Sequence, residues 1–167
     1  MTKKTINSGR KHISELKRLT DKEVYYLYQK LVKSSKSKDL RIRKAIVNTL
    51  ITRSGYNYEK KEYNAAISKL TKAIKLDPNC ADAYCNRGNA YYKKNDYAKA
   101  IIDHTKEIKL NPTDIDMAYI RRGVDYWIKG DLELALTDFT KALKIKPDNK
   151  MAQECLNKLT GSDSESV

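Results

Sequence analysis

The stretch ADAYCNRGNAYYKKNDYAKAIIDHTKEIKLNPTD, residues 81–114, decides the fold. It reads as two helices and a turn. Tyr84, Arg87, Gly88, Tyr91 and Tyr92 follow the spacing i, i+3, i+4, i+7, i+8, which lines one face of a helix. Asn95-Asp96 interrupts the run, because both side chains compete locally for backbone hydrogen bonds and favour turns. Tyr97, Ala100, Ile101, His104 and Ile108 then share one face of a second helix. Asn111-Pro112 ends it, since the residue before a proline is pushed out of the helical region. Gly88 and Ala100 are small where two packed helices need to approach closely.

The pattern recurs on both sides. Pro78, Pro112 and Pro147 punctuate the chain at intervals of 34 and 35 residues. Residues 116–149 repeat it, with Tyr119, Arg122, Gly123 and Tyr126 on a first helix and Leu132, Ala135, Phe139 and Ala142 on a second. Residues 47–78 form a degenerate copy, whose second helix carries Tyr63, Ala66, Ile67, Leu70, Ala73 and Ile74. Its Gly55 falls one place away from the position of Gly88, which predicts a slipped or shortened end to the first helix.

A period of about 34 with aromatic, Gly, Tyr, Ala, Phe and Pro at these offsets resembles the tetratricopeptide repeat. The resemblance covers roughly residues 45–150. It implies an all-α solenoid of antiparallel helix pairs, stacked into a right-handed superhelix with a concave groove. Two departures stand out. Glu107 occupies a place where the family prefers a small residue, which Ala142 supplies in the next repeat. One extra residue lies within Thr113–Asp116.

The implied organisation has three parts. Residues 1–38 are a basic N-terminal extension with one or two helices. Residues 39–160 are the repeat domain, with repeats at about 47–80, 81–114 and 116–149 and a capping helix at 150–160. Residues 161–167 are a disordered polar tail. In the extension, Ile13, Leu16 and Leu19 suggest a short helix. Thr20 and Glu23 then offer a capping box for a helix to about Lys33, with Val24, Leu27, Tyr28 and Leu31 on one face. That helix would cap the open end of a solenoid or serve as a partner-binding arm. Ser34-Ser35-Lys36-Ser37 is a short linker, and Asp39 begins a long helix. At the far end Asn149 or Asp148 caps the last helix, whose Met151, Ala152, Cys155, Leu156 and Leu159 would cover the final repeat.

Charge divides the chain. Its net charge is +13, and residues 1–46 alone carry 14 Lys and Arg against 4 Asp and Glu. Such an excess fits an electrostatic footprint on nucleic acid or an anionic membrane surface, or a solvated lysine-rich face. Lys3, Lys4, Arg10, Lys11, Lys17 and Arg18 are the candidate patch. No apolar run is long enough to span a bilayer, and the basic N-terminus lacks the apolar core of a secretory signal. Three cysteines form no paired framework, which fits a reducing cytoplasm.

No catalytic constellation emerges. His12 and His104 lie in different segments, and His104 occupies a position held by Leu70 and Phe139 elsewhere, so it reads as a packing residue. Cys80 and Cys85 lack companions at zinc spacing, and the isolated glycines form no phosphate loop. The expectation is a non-catalytic protein with neither cofactor nor metal.

What remains is surface. In the family the first helix of each pair lines the groove, which implies Asn86, Asn89, Tyr92 and Lys93 from the second repeat and Arg121 and Trp127 from the third. Tyr58, Tyr92 and Trp127 recur at one repeat position, as an aromatic ladder or as packing. Some members grip a terminal carboxylate with two Lys, two Asn and an Arg; Asn86 and Arg121 match two of the five, and Met117 replaces the last Lys. The leading reading is a scaffold holding an extended peptide or partner helix in the groove. The alternatives are nucleic-acid or anionic-membrane association through the basic segment, and self-association.

Overall fold

A computed structural model describes residues 19–32 and 40–161. The described residues form eight α-helices and no strand. These are α1 (Asp21–Val32), α2 (Leu40–Glu59), α3 (Tyr63–Leu76), α4 (Ala81–Lys93), α5 (Tyr97–Lys109), α6 (Ile115–Lys129), α7 (Leu132–Ile145) and α8 (Lys150–Thr160). No described helix is long and apolar enough to cross a membrane. The chain divides into two compact units between Cys80 and Ala81. The six basic-patch candidates, the expected helix around Ile13–Leu16, the linker at 34–37 and the tail at 162–167 lie outside the described residues.

The helices pair because three turns share one geometry. Lys61, Asn95 and Gly130 adopt positive φ, at 61°, 60° and 92°. Behind each, two amides turn back onto the helix: Asp96 N–H donates to the Tyr91 carbonyl and Asn95 N–H to Tyr92. Glu62 and Lys61 do the same with Asn57 and Tyr58, as do Asp131 and Gly130 with Tyr126 and Trp127. This is a Schellman closure, which satisfies carbonyls that a helix end leaves open. Glycine and asparagine tolerate the left-handed region, whereas Lys61 adopts it under strain. At the other ends, Asp77 and Lys146 are extended ahead of Pro78 and Pro147, as the steric clash with proline demands.

The first unit holds α1, α2 and α3. Its core is Val24, Leu31, Ile46, Val47, Leu50, Ala66, Leu70, Ala73 and Leu76. The capping box forms: Thr20 N–H donates to Glu23 Oε2 at 2.7 Å, and Glu23 N–H to Thr20 Oγ1 at 3.3 Å. The Thr20 backbone donor, then its hydroxyl, hold the Glu23 carboxyl below its ordinary range. The expected slip is absent. Helix α2 runs unbroken to Glu59, and Ser54 is buried 34 residues before Gly88. Ser54 is the small residue of this hairpin, and its hydroxyl donates to the Ile51 carbonyl at 2.7 Å. Gly55 faces open space, so it marks no packing position.

The second unit stacks α4 to α8. Gly88 and Gly123 explain its spacing: a Cβ at Gly88 would meet His104 Nε2 at 2.5 Å, and one at Gly123 would meet Phe139 Cε1 at 2.6 Å. Each glycine thus admits a ring from the partner helix. Arg87 donates to both Asp103 oxygens at 2.7 and 2.8 Å, and Arg122 to both Asp138 oxygens at the same distances. These two forks tie α4 to α5 and α6 to α7, each on a buried carboxylate. At the end, Asn149 caps α8 by accepting from Ala152 N–H at 3.1 Å, and its amide donates to Asp116 at 2.8 Å. Cys155, Leu156 and Leu159 then cover the cluster of Ile120, Ala135, Phe139 and Ala142.

Candidate functional site

The residues expected to line a groove come from α4 and α6, the first helices of the two hairpins in the second unit. Asn86 and Asn89 are half-buried on α4, and Lys93 is exposed at its end. Arg121 occupies on α6 the place that Asn86 holds on α4, and it is half-buried too. The structure joins several of these through residues that the sequence did not mark as partners. Asn89 Nδ2 lies 3.8 Å from Cys85 Sγ. The Cys85 thiol feels the negative charge of Glu107 on α5, which helps raise its pKa. Glu107 is buried and accepts from Arg121 Nη2 at 2.5 Å, while Asp114 accepts from the same nitrogen at 3.4 Å. Glu107, Arg121 and Asp114 therefore form one polar network between α5 and the start of α6, with the Asn89–Cys85 pair of α4 beside it.

This network changes the meaning of Arg121. Its guanidinium is not an uncommitted cation awaiting a carboxylate, since two carboxylates of this chain already accept from Nη2. Burial opposes the charge on Arg121, but the Glu107 hydrogen bond and neighbouring negative charges outweigh it and raise its pKa. Burial first, and then Glu107, push the Cys85 thiol up to about 12, so it stays protonated and unreactive near neutral pH. Two polar atoms of the network, Glu107 Oε2 and Arg121 Nε, are buried without a hydrogen bond. Glu107 was visible in the sequence as a charged residue in a small-residue place; Ala73 and Ala142 occupy the equivalent positions, fully buried. That anomaly was the signal for a partner, but it could not say which one.

Each ring of the expected aromatic ladder makes an edge-on contact inside its own hairpin. Tyr58 meets Tyr63 edge-on at 5.4 Å, Tyr92 meets Tyr97 at 5.7 Å, and Trp127 meets Phe139 at 6.3 Å. Tyr58, Tyr92 and Trp127 are half-buried; the two tyrosine pairs brace the turns between their helices, while Trp127 packs on the fully buried Phe139. The Lys93 ammonium lies 5.8 Å from the Tyr92 ring centroid.

His104 packs, as its position implies, but with a charged companion. Its Nδ1 lies 2.6 Å from Asp125 Oδ2, and both side chains are buried. Burial pushes the Asp125 carboxyl up, and the His104 hydrogen bond works against that push. His104 Nε2 and Asp125 Oδ1 have no hydrogen-bond partner. Nothing in the sequence pattern linked these two residues, which belong to consecutive hairpins.

Comparisons with known proteins add to this geometry. A family model described as TPR repeat matches residues 57–95, and one described as tetratricopeptide repeat matches residues 81–114 and 117–149. Among solved structures, the first TPR of Spaghetti (RPAP3) bound to the HSP90 peptide SRMEEVD is similar at a TM-score of 0.65, with 28% identity over 70% of this chain and 91% of that one. The Arabidopsis OM64 TPR domain matches at 0.65, with 29% identity over 70% and 95%. The second TPR domain of human RPAP3, in complex with the HSP70 peptide SGPTIEEVD, matches at 0.62, with 32% identity over 65% and 90%. A search of curated proteins by sequence finds no match.

Proposed function

Because the chain belongs to the tetratricopeptide repeat family, we propose that it is a non-catalytic protein-interaction scaffold whose α4 and α6 hold an extended peptide. The observation that carries this reading is the polar face itself. Asn86 and Asn89 offer amide donors and acceptors one helical turn apart, and Arg121 spends both its hydrogen bonds through Nη2 alone. Amides of this kind suit a peptide backbone, which presents alternating donors and acceptors whatever its side chains.

The charge around Arg121 narrows the ligand. One guanidinium faces two carboxylates of the same network, Glu107 and Asp114. A peptide crowded with acidic side chains would meet that negative excess, in a place where only two of the five carboxylate-gripping residues are present. The favoured ligand is therefore an extended peptide that is neutral or basic beside Arg121. This differs from the acidic chaperone peptides held by the similar domains.

The test is selection from a random heptapeptide display library, on the wild-type chain and on an Asn86→Ala/Asn89→Ala variant with a wild-type circular dichroism spectrum. The expected result is enrichment of peptides poor in Asp and Glu, lost in the variant. No enrichment, or enrichment indifferent to the variant, refutes the site. Preferential enrichment of acidic sequences refutes the charge argument. Arg121→Ala is a poor probe, because it strands buried Glu107 and confuses loss of binding with loss of fold.

A further inference from the structure

The first unit carries a second feature that the peptide site does not use. In the second and third hairpins an arginine on the first helix forks onto a buried aspartate on the second: Arg87 onto Asp103, and Arg122 onto Asp138. The equivalent pair in the α2–α3 hairpin is Arg53 and Lys69, 34 residues earlier. The acid has become a base. Left alone, the hairpin would present two cations side by side.

The missing carboxylate comes from outside the hairpin. Asp21, in the first turn of α1, accepts from Arg53 Nη1 at 2.7 Å and lies 3.2 Å from Lys69 Nζ. Arg53 Nη2 also donates to the Leu19 carbonyl. Burial opposes ionisation of Asp21, but Lys69 and then Arg53 overcome it and lower its pKa. At the other end of α1, Arg43 Nη2 donates to the Leu31 carbonyl at 3.1 Å. Arg43 and Arg53 are ten residues apart on α2, about 15 Å along the helix. Asp21 and Leu31 are ten apart on α1, the same length in the opposite direction. The α2 helix thus measures out an antiparallel helix of about three turns, with an acid at its start and open carbonyls at its end.

The fit of α1 in this cradle is loose. Only Val24 and Leu31 of α1 are buried, and the Asp21 side chain is 66% exposed. Under the helix lies a cavity of about 180 Å³, lined by Tyr25, Tyr28, Leu50, Ala65, Lys69 and Lys72 among others. An exposed ion pair holds weakly, which leaves Val24 and Leu31 as the main apolar hold on α1.

We propose that this face of the α2–α3 hairpin is a docking site for a helix of a partner protein, with α1 as its occupant within the chain. The partner helix begins with Asp or Glu and continues with bulky apolar residues three, seven and ten places on, matching Val24, Tyr28 and Leu31. Its acid takes Arg53 and Lys69, its apolar side chains take the places of Val24 and Tyr28 over Leu50 and Ala65, and its last carbonyls take Arg43.

The probe is a fluorescein-labelled peptide, LTDKEVYYLYQKLV, corresponding to residues 19–32, added to the full-length chain. Asp21→Lys repels α1 from Arg53 and Lys69 and vacates the face; Asp21 is exposed, so the substitution itself disturbs no core side chain, and a circular dichroism spectrum checks that α2 and α3 stay helical. Polarisation is expected to show at least about tenfold tighter binding to Asp21→Lys than to wild type. Adding Arg53→Glu or Arg43→Glu should abolish it, and the peptide carrying the Asp21→Lys change should not bind. Equal binding to wild type and Asp21→Lys overturns the proposal. So does binding that survives Arg53→Glu. A concentration-dependent dimer of the wild-type chain, lost in Arg53→Glu, would assign the face to α1 of a second copy and overturn the partner reading. Peptide selection on the Asn86→Ala/Asn89→Ala variant is independent of this experiment, so either reading can fail alone.

Discussion

Replacing Arg121 by alanine separates its role in the fold from any role in binding. Glu107 is 1% exposed and depends on Arg121 Nη2 for a hydrogen bond at 2.5 Å. Removing the guanidinium leaves a buried carboxylate with no cation, which costs about 3–5 kcal/mol. For a chain of this size that corresponds to a fall in melting temperature of roughly 10 °C. Glu107→Ala acts differently. It installs the residue that the other two hairpins carry at this place, Ala73 and Ala142, and leaves Arg121 partly exposed beside Asp114. Its cost should stay near 1 kcal/mol, the order of a lost part-exposed pair. The double variant removes both charges together and should recover about 2–3 kcal/mol relative to Arg121→Ala, because exchanging a buried ion pair for apolar groups is close to neutral. Urea denaturation followed by circular dichroism measures all four corners of the cycle. The reasoning is refuted if Arg121→Ala costs less than about 1 kcal/mol, or if the double variant is no more stable than Arg121→Ala. The double variant is also the fair background in which to ask whether Arg121 matters for a ligand.

Other outcomes follow from the same structure. Gly88→Ala and Gly123→Ala should each cost about 1–3 kcal/mol, since the new methyl would overlap the ring of His104 or Phe139, whereas Gly55→Ala, in open space within α2, should stabilise by about 0.5–1 kcal/mol in thermal melts. Arg87→Ala strands the buried Asp103 and should cost about 3–5 kcal/mol, while Arg53→Ala, whose acid Asp21 is exposed, should cost less than about 1 kcal/mol; equal losses in parallel urea titrations would sink the distinction. His104→Phe removes the partner that opposes the upward push on Asp125. A carboxyl raised in the folded state contributes most when protonated, below its unfolded pKa, and that contribution is lost as pH rises through the folded value. The deficit of His104→Phe relative to wild type should therefore be largest at neutral pH and shrink toward pH 4; a deficit flat with pH would contradict it. The Cys85 thiol, raised to about 12, should react with a disulfide reagent at pH 8 only as fast as the second unit opens, and should speed up on addition of urea.

The sequence by itself determined the helices, their pairing and the repeat register. Those features rest on local rules: the spacing of Tyr84, Gly88 and Tyr91, the prolines at 78, 112 and 147, and the turn residues Asn95 and Asp96. Each is decided within a few residues along the chain. The same rules misread Gly55, because a glycine at nearly the right offset resembles a packing position, whereas the small residue buried there is Ser54 beside it. They marked Glu107 as out of pattern without saying what answers it, and they left Lys69 unremarked. Only the tertiary structure decided that Arg121 answers Glu107, that Asp125 answers His104, and that Asp21 answers Arg53 and Lys69. The partners come from different helices, so no helical period relates them. A buried or crowded charge must find a counter-ion somewhere in the fold, but that requirement fixes neither its identity nor its address; packing does.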